Sequence, residues 1–104
     1  MYHCGPTVYK RQHIGNFRAF LLADLLRRVF ESQGRLVTQV MNITDVGHLT
    51  EDDTADATGE DKLQKEAARR KLDPWQIARE EERNFKEDLA ALGVVPAHHY
   101  PRAT

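Results

Sequence analysis

A single cysteine, Cys4, rules out any disulfide within the chain, which fits a reducing cytoplasm. Long apolar runs are also missing, and none approaches the roughly 20 residues that a membrane span requires. The opening Met1-Tyr2-His3-Cys4-Gly5-Pro6 has neither a basic n-region nor an apolar h-region, so no secretory signal is read there. No sign of charge dominates, the formal net charge being −1. Arg69, Arg70 and Lys71 form only a short basic cluster, so the charge gives no sequence-wide reason to expect nucleic acid or membrane. An RNA-gripping surface, if there is one, would lie elsewhere. Neither an internal repeat nor a low-complexity tract is present. What remains is 104 residues, 40% hydrophobic and 30% charged, which suits one small soluble domain with a modest core.

Met1 to Cys4 reads as the end of a strand that stops at Gly5-Pro6, because proline cannot donate to a ladder and restricts the residue before it. A loop follows to Gln12. From His13 or Asn16 to Gln33 the pattern is helical: Phe17, Leu21, Leu25 and Val29 recur at four-residue spacing with Leu22, Leu26 and Phe30 beside them. Arg18, Asp24, Arg27, Arg28 and Glu31 are expected on a solvated face, and Gly34 stands where a helix should stop. Leu36 to Met41 is a β-branched, apolar-rich run and reads as a second, well-buried strand. Strand, helix and strand make a βαβ unit, which implies parallel strands and a right-handed crossover. The expected fold class is therefore α/β, a Rossmann-like βαβ unit over residues 1–45. An acidic loop and helices are expected over 46–104. Asp45 to Gly59 is polar and reads as an exposed loop, and a short helix is expected from Thr58 or Gly59 to about Arg70. Asp73-Pro74-Trp75-Gln76 signals another helix start with a capping box. That helix is expected to run to about Leu92, with Trp75, Ala78, Phe85, Leu89 and Leu92 on one face.

Chemistry-bearing residues fall in the order that a nucleotide-binding βαβ unit needs. Cys4-Gly5-Pro6-Thr7 lies at the carboxyl end of the first strand, where ligands of open α/β sheets bind. A thiolate there suits zinc or nucleophilic chemistry, but an isolated cysteine reads more readily as small buried filler. Zinc takes several ligands, and His3 points away from Cys4 on a regular strand. His13-Ile14-Gly15-Asn16 opens the first helix. Gly15 permits close backbone approach, the helix N-terminus favours phosphate, and His13 can donate to charge that develops there. The alternative is a polar loop with Asn16 as N-cap. Asn42-Ile43-Thr44-Asp45, at the end of the second strand, can bind ligand or simply form a turn. His48 receives no role, and His98-His99 reads as solvated loop.

Taken together, Met1 to Tyr9, His13 to Asn16, Asn42 to Val46 and Pro101 to Thr104 resemble the cysteinyl-tRNA synthetases in order and spacing. The resemblance implies part of a class I aminoacyl-tRNA synthetase catalytic domain, spanning 1–104. It implies activation of cysteine with ATP to cysteinyl-adenylate and transfer to tRNA(Cys). It also implies one zinc per chain that binds the substrate thiol, with Cys4 as one ligand and the remaining ligands outside this stretch. A soft metal prefers a thiolate to the hydroxyl of serine, a better discriminator than a pocket that senses only size. His13, Gly15 and Asn16 match the family's "HIGH" motif, with Asn16 in place of the final histidine. The resemblance makes His13 and Asn16 catalytic and puts Thr7, His13, Gly15 and Asn16 at ATP with its Mg²⁺. Gly5, Thr7 and Thr44 then line the cysteine pocket.

The family's "KMSKS" loop and anticodon-binding region have no counterpart here, and the family starts with a further strand. The piece is thus expected to be a fragment, inactive alone, of a cytoplasmic, monomeric enzyme without membrane contact. Two rivals share the core: a cysteine ligase of mycothiol synthesis and a non-catalytic paralogue.

Overall fold

The computed structural model describes residues 1–46 and 67–104. The expected acidic loop from residue 47 onward, His48, and the helix start at Thr58 or Gly59 lie outside the described residues; residues 67–70 are helical. In chain order come strand β1 (Tyr2–His3), helix α1 (Ile14–Ser32), strand β2 (Val40–Met41) and helix α2 (Pro74–Ala91). β1 and β2 are parallel, with Tyr2 opposite Val40 and His3 opposite Met41, so the strand–helix–strand unit stands as expected.

Pairing extends beyond these short strands and carries a slip. Val40 N–H donates to Met1 O at 2.8 Å, and farther along Thr7 bridges Thr44. Between His3 and Thr7 the first strand advances four residues while the second, from Met41 to Thr44, advances three. The extra residue is a bulge at Cys4-Gly5-Pro6, a device that re-aims side chains and is common beside active sites.

The second strand acquires another parallel neighbour on its other edge, since His99 bridges Val40 and Arg102 bridges Ile43. His98 and His99 are exposed as expected, but they belong to a strand-like segment and not to a plain loop. Rungs run from His99 N–H to Gln39 O and from Ala103 N–H to Ile43 O. The rung between them, to Met41 O, falls to Pro101, which has no N–H to give. A segment flanked by Pro96 and Pro101 therefore pairs in pieces and hides its strand character in the sequence. The second strand is also shorter than expected: regular pairing begins at Val40, and Leu36 lies fully exposed rather than buried.

Three rings join the helices. Phe20 meets Phe85 edge-on at 5.0 Å between centroids, and Phe17 stacks on Phe85 at 5.9 Å. Such pairs add roughly 0.5–1.5 kcal/mol to the area they bury. Met41 and Ile43, two apart and so on one face of their strand, join the same core with Ile77, Leu89 and Val94.

The buried side of α1 is Phe17, Phe20, Asp24 and Arg27, with Leu21 half-buried; Leu22, Leu25, Leu26 and Val29 are exposed. The core face is thus rotated from the expected one, and two residues assigned to solvent lie inside. The reason is polar. Asp24 accepts from Val95 N–H at 2.9 Å, and Arg27 donates to Pro96 O at 2.8 Å and to Gln39 Oε1 at 3.1 Å. These side chains satisfy the backbone where the chain leaves α2.

α2 starts at Pro74 with Asp73 as N-cap, but the Asp73 side chain makes no capping hydrogen bond, so the expected capping box does not form. Trp75 and Leu92 are also more exposed than expected, while Ala78, Phe85 and Leu89 are buried with Ile77. Gly93, at φ 73°, ends the helix. Its N–H donates to Ala90 O and that of Val94 to Leu89 O, the paired bonds of a Schellman stop.

Asp45 fastens the third segment to the second strand. Its buried carboxylate accepts from Thr104 Oγ1 at 2.8 Å, Thr104 N–H at 3.1 Å and Arg102 Nη1 at 3.4 Å. Burial opposes ionisation, but the hydrogen bonds from Thr104 and Arg102 outweigh it and leave the pKa below the ordinary 3.8. A depressed pKa contributes stability above the unfolded value, lost as pH falls through the folded value. Asp45→Asn is accordingly expected to cost about 1–3 kcal/mol at neutral pH. Urea midpoints should show the gap between variant and parent closing below about pH 3.8.

Candidate active-site cleft

The bulge and the start of α1 face one another across a cleft of about 460 Å³, a size that accepts a small ligand. Cys4, Gly5, Thr7, His13, Gly15 and Asn16 all line it. Of the site residues that the family resemblance implies, Thr44 alone does not. It sits half-buried in the bridge to Thr7, its hydroxyl accepting from Asn42 Nδ2 at 3.2 Å.

The loop between bulge and helix is held from within and from α2. Gln12 Nε2 donates to Thr7 O and to Lys10 O, each at 3.2 Å. Arg11 forks onto Asp88, Nη2 to Oδ1 at 2.8 Å and Nε to Oδ2 at 3.1 Å. The Arg11 hydrogen bond holds the Asp88 carboxyl below its usual range against the opposing effect of burial. Exposed pairs of this kind contribute little to stability; the fork's value is geometric, since it fixes the loop. Neither Gln12 nor Lys10, which also lines the cleft, stands out in the sequence, because nothing in a Lys-Arg-Gln run distinguishes an anchor from solvated loop.

The helix start departs from one sequence reading. His13, not Asn16, is the N-cap: its Nδ1 accepts from Gly15 N–H at 3.1 Å, while His13 N–H donates to Asn16 Oδ1 at 3.1 Å. Nδ1 therefore carries no proton, and the neutral ring keeps its hydrogen on Nε2. A Cβ on Gly15 would lie 2.9 Å from His13 Cε1, so the missing side chain makes room for the imidazole itself. Asn16 spends its carbonyl on the cap.

Cys4 is exposed at the strand end. A thiolate there suits a soft metal, but among the described residues no group of three His, Cys, Asp or Glu could hold one. Zinc takes a set of three or four such donors. No helix among the described residues is long and apolar enough to cross a membrane.

The family described as "tRNA synthetases class I (C) catalytic domain" matches residues 1–104. The chain belongs to that family. Curated members similar to it include the cysteine–tRNA ligase of Salinibacter ruber, 52% identical over 99% of this chain and 20% of its own length. Cysteine–tRNA ligase 1 of Burkholderia lata is 50% identical over the whole chain and 22% of the relative. That of Chlorobaculum tepidum is 45% identical over the same shares. The chain spans about a fifth of the length of these class I synthetases.

Among the described glycines of this class I synthetase chain, Gly5 has the closest neighbours. A Cβ there would lie 1.9 Å from the backbone oxygen of Asn42 and 2.9 Å from Met41 Cγ. Gly5→Ala must push the bulge off the second strand, with an expected loss of about 1–3 kcal/mol by denaturant unfolding.

Proposed function

We propose that the protein bearing this sequence is a cysteine–tRNA ligase, and that residues 1–45 form the Rossmann-like half-site that binds ATP and cysteine. The carrying observation is the cleft in which Cys4 and His13 meet, in a chain about half identical to cysteine–tRNA ligases over its whole length. The cysteine carboxylate attacks the α-phosphate of ATP, pyrophosphate leaves, and the acyl group then passes to tRNA(Cys). His13 Nε2–H donates to the charge that grows on the α-phosphate, a role suited to a fixed neutral donor. The Asn16 amide and the first turn of α1 lie beside the same phosphates, Gly15 and Thr7 border the nucleotide, and Gly5 and Thr7 border the cysteine, with Thr44 paired behind Thr7.

When bound, zinc would supply a soft Lewis acid for the substrate thiolate, with Cys4 as one of its ligands. Mg²⁺ accompanies ATP. The exposed Leu22, Leu25, Leu26 and Val29 of α1 suit a surface covered by further chain in a protein of the relatives' length. The reading brings with it a cytoplasmic, monomeric enzyme.

Cysteine-dependent ATP–pyrophosphate exchange by the whole gene product tests the proposal; exchange absent with cysteine overturns it. His13→Asn keeps a capping oxygen and removes the Nε2–H donor. It is expected to lower kcat about 100- to 1,000-fold while thermal unfolding shifts little.

A further inference from the structure

The Cys4–Gly5 peptide group is gripped at both of its polar atoms by side chains. Its carbonyl, Cys4 O, lies 3.1 Å from His3 Nδ1, and its N–H, that of Gly5, donates to Asn42 Oδ1 at 3.1 Å. The bulge makes this necessary, because the slipped register leaves that peptide without a backbone partner.

The direction of each bond follows from its neighbours. Arg27 Nη1 donates to Gln39 Oε1 at 3.1 Å, which turns the Gln39 amide nitrogen toward His3 Nε2 at 2.8 Å. An amide nitrogen only donates, so His3 Nε2 accepts and the ring proton sits on Nδ1, facing Cys4 O. Arg27 and Gln39 are buried, 7% and 1% exposed, so this chain of donors is anchored inside the protein. On the other side Asn42 Nδ2 donates to Thr44 Oγ1. That leaves Asn42 Oδ1 for Gly5 and frees the Thr44 hydroxyl hydrogen to donate elsewhere.

We infer that His3 and Asn42 are positioning residues: by clamping one peptide group they set the direction in which Cys4 presents its sulfur to the cleft. With this peptide held at both polar atoms and β1 holding the chain before it, ψ of Cys4 is restrained, and the main freedom left to the sulfur is rotation about χ1. The clamp acts on the cysteine side of the cleft and not on the His13 side. The inference rests on the proposed cysteine activation, and its test separates the two.

In the whole gene product, Asn42→Ala and His3→Ala are compared with Asn42→Asp and His3→Gln, which retain an acceptor for Gly5 N–H and a donor for Cys4 O. Asn42→Ala is expected to raise the cysteine KM in pyrophosphate exchange about tenfold, the worth of one hydrogen bond. The ATP KM should stay within about twofold, and Asn42→Asp should recover most of the loss. Hydrogen exchange localised to the Gly5 amide should accelerate in Asn42→Ala and return toward the parent rate in Asn42→Asp. Equal rises in both KM values, or no rescue by the conservative pair, overturn the inference. If the parent shows no cysteine-dependent exchange, the proposed function fails. The Gly5 amide still decides the clamp, and unchanged exchange in Asn42→Ala refutes it. Should an alanine variant not fold, Asn42→Asp and His3→Gln must still behave as the parent does toward cysteine.

Discussion

Gly5 lies so close to the Asn42 carbonyl that no side chain fits between them, and at that contact the first strand slips its register. From this one steric fact the geometry of the cleft follows. The slip lifts Cys4-Gly5-Pro6 out of the ladder before Thr7 rejoins it opposite Thr44. The lifted peptide needs side-chain partners, and the chain turns toward α1 instead of running on as a strand. A regular ladder would have kept Cys4 on one strand face with backbone rungs on either side of it. The bulge instead brings it to the mouth of a cleft shared with His13.

The ladder that carries the bulge is short, so polar side chains do much of the fastening that long strands usually do. Asp45 ties Thr104 and Arg102 to the second strand, Asp24 and Arg27 tie the turn after α2 to α1, and Gln39 joins Arg27 to His3. Asp24, Arg27, Gln39 and Asp45 are buried and partnered, the condition under which a polar network specifies one arrangement instead of weakening it. The exposed Arg11–Asp88 fork differs: screened by water, it positions a loop but adds little stability.

Much of the fold is legible in the sequence. The α1 boundaries, the Gly34 and Gly93 stops and the parallel strand–helix–strand order all follow from periodicity and backbone chemistry. Cys4, Gly5, Thr7, His13, Gly15 and Asn16 of the cleft lining are also legible, because glycine, proline and histidine punctuate the strand end and the helix start. What escapes has a common cause: polar groups whose partners lie far along the chain. Asp24 and Arg27 look like surface residues until Val95 and Pro96 are placed beside them. His98 is exposed as read, but nothing in the sequence shows that its ring accepts from Gln39 N–H. The third parallel segment is masked by Pro101, which deletes the rung that would have marked it. The buried face of α1 is hidden because leucines at helical spacing outnumber the two phenylalanines that find Phe85.

The cap of α1 links this fold to the proposed chemistry more tightly than the motif alone suggests. An N-cap must accept a hydrogen bond, and imidazole can do so only through an unprotonated nitrogen. With Nδ1 accepting from Gly15, the neutral ring has its one hydrogen on Nε2, the atom left for a ligand. A doubly protonated ring would forfeit the cap, so an intact helix start and a neutral donor at Nε2 are one structural state. Asn16 completes that state by returning its carbonyl to the His13 N–H. The asparagine that stands where the motif's final histidine would be thus ties the backbone of His13 to the first turn of α1.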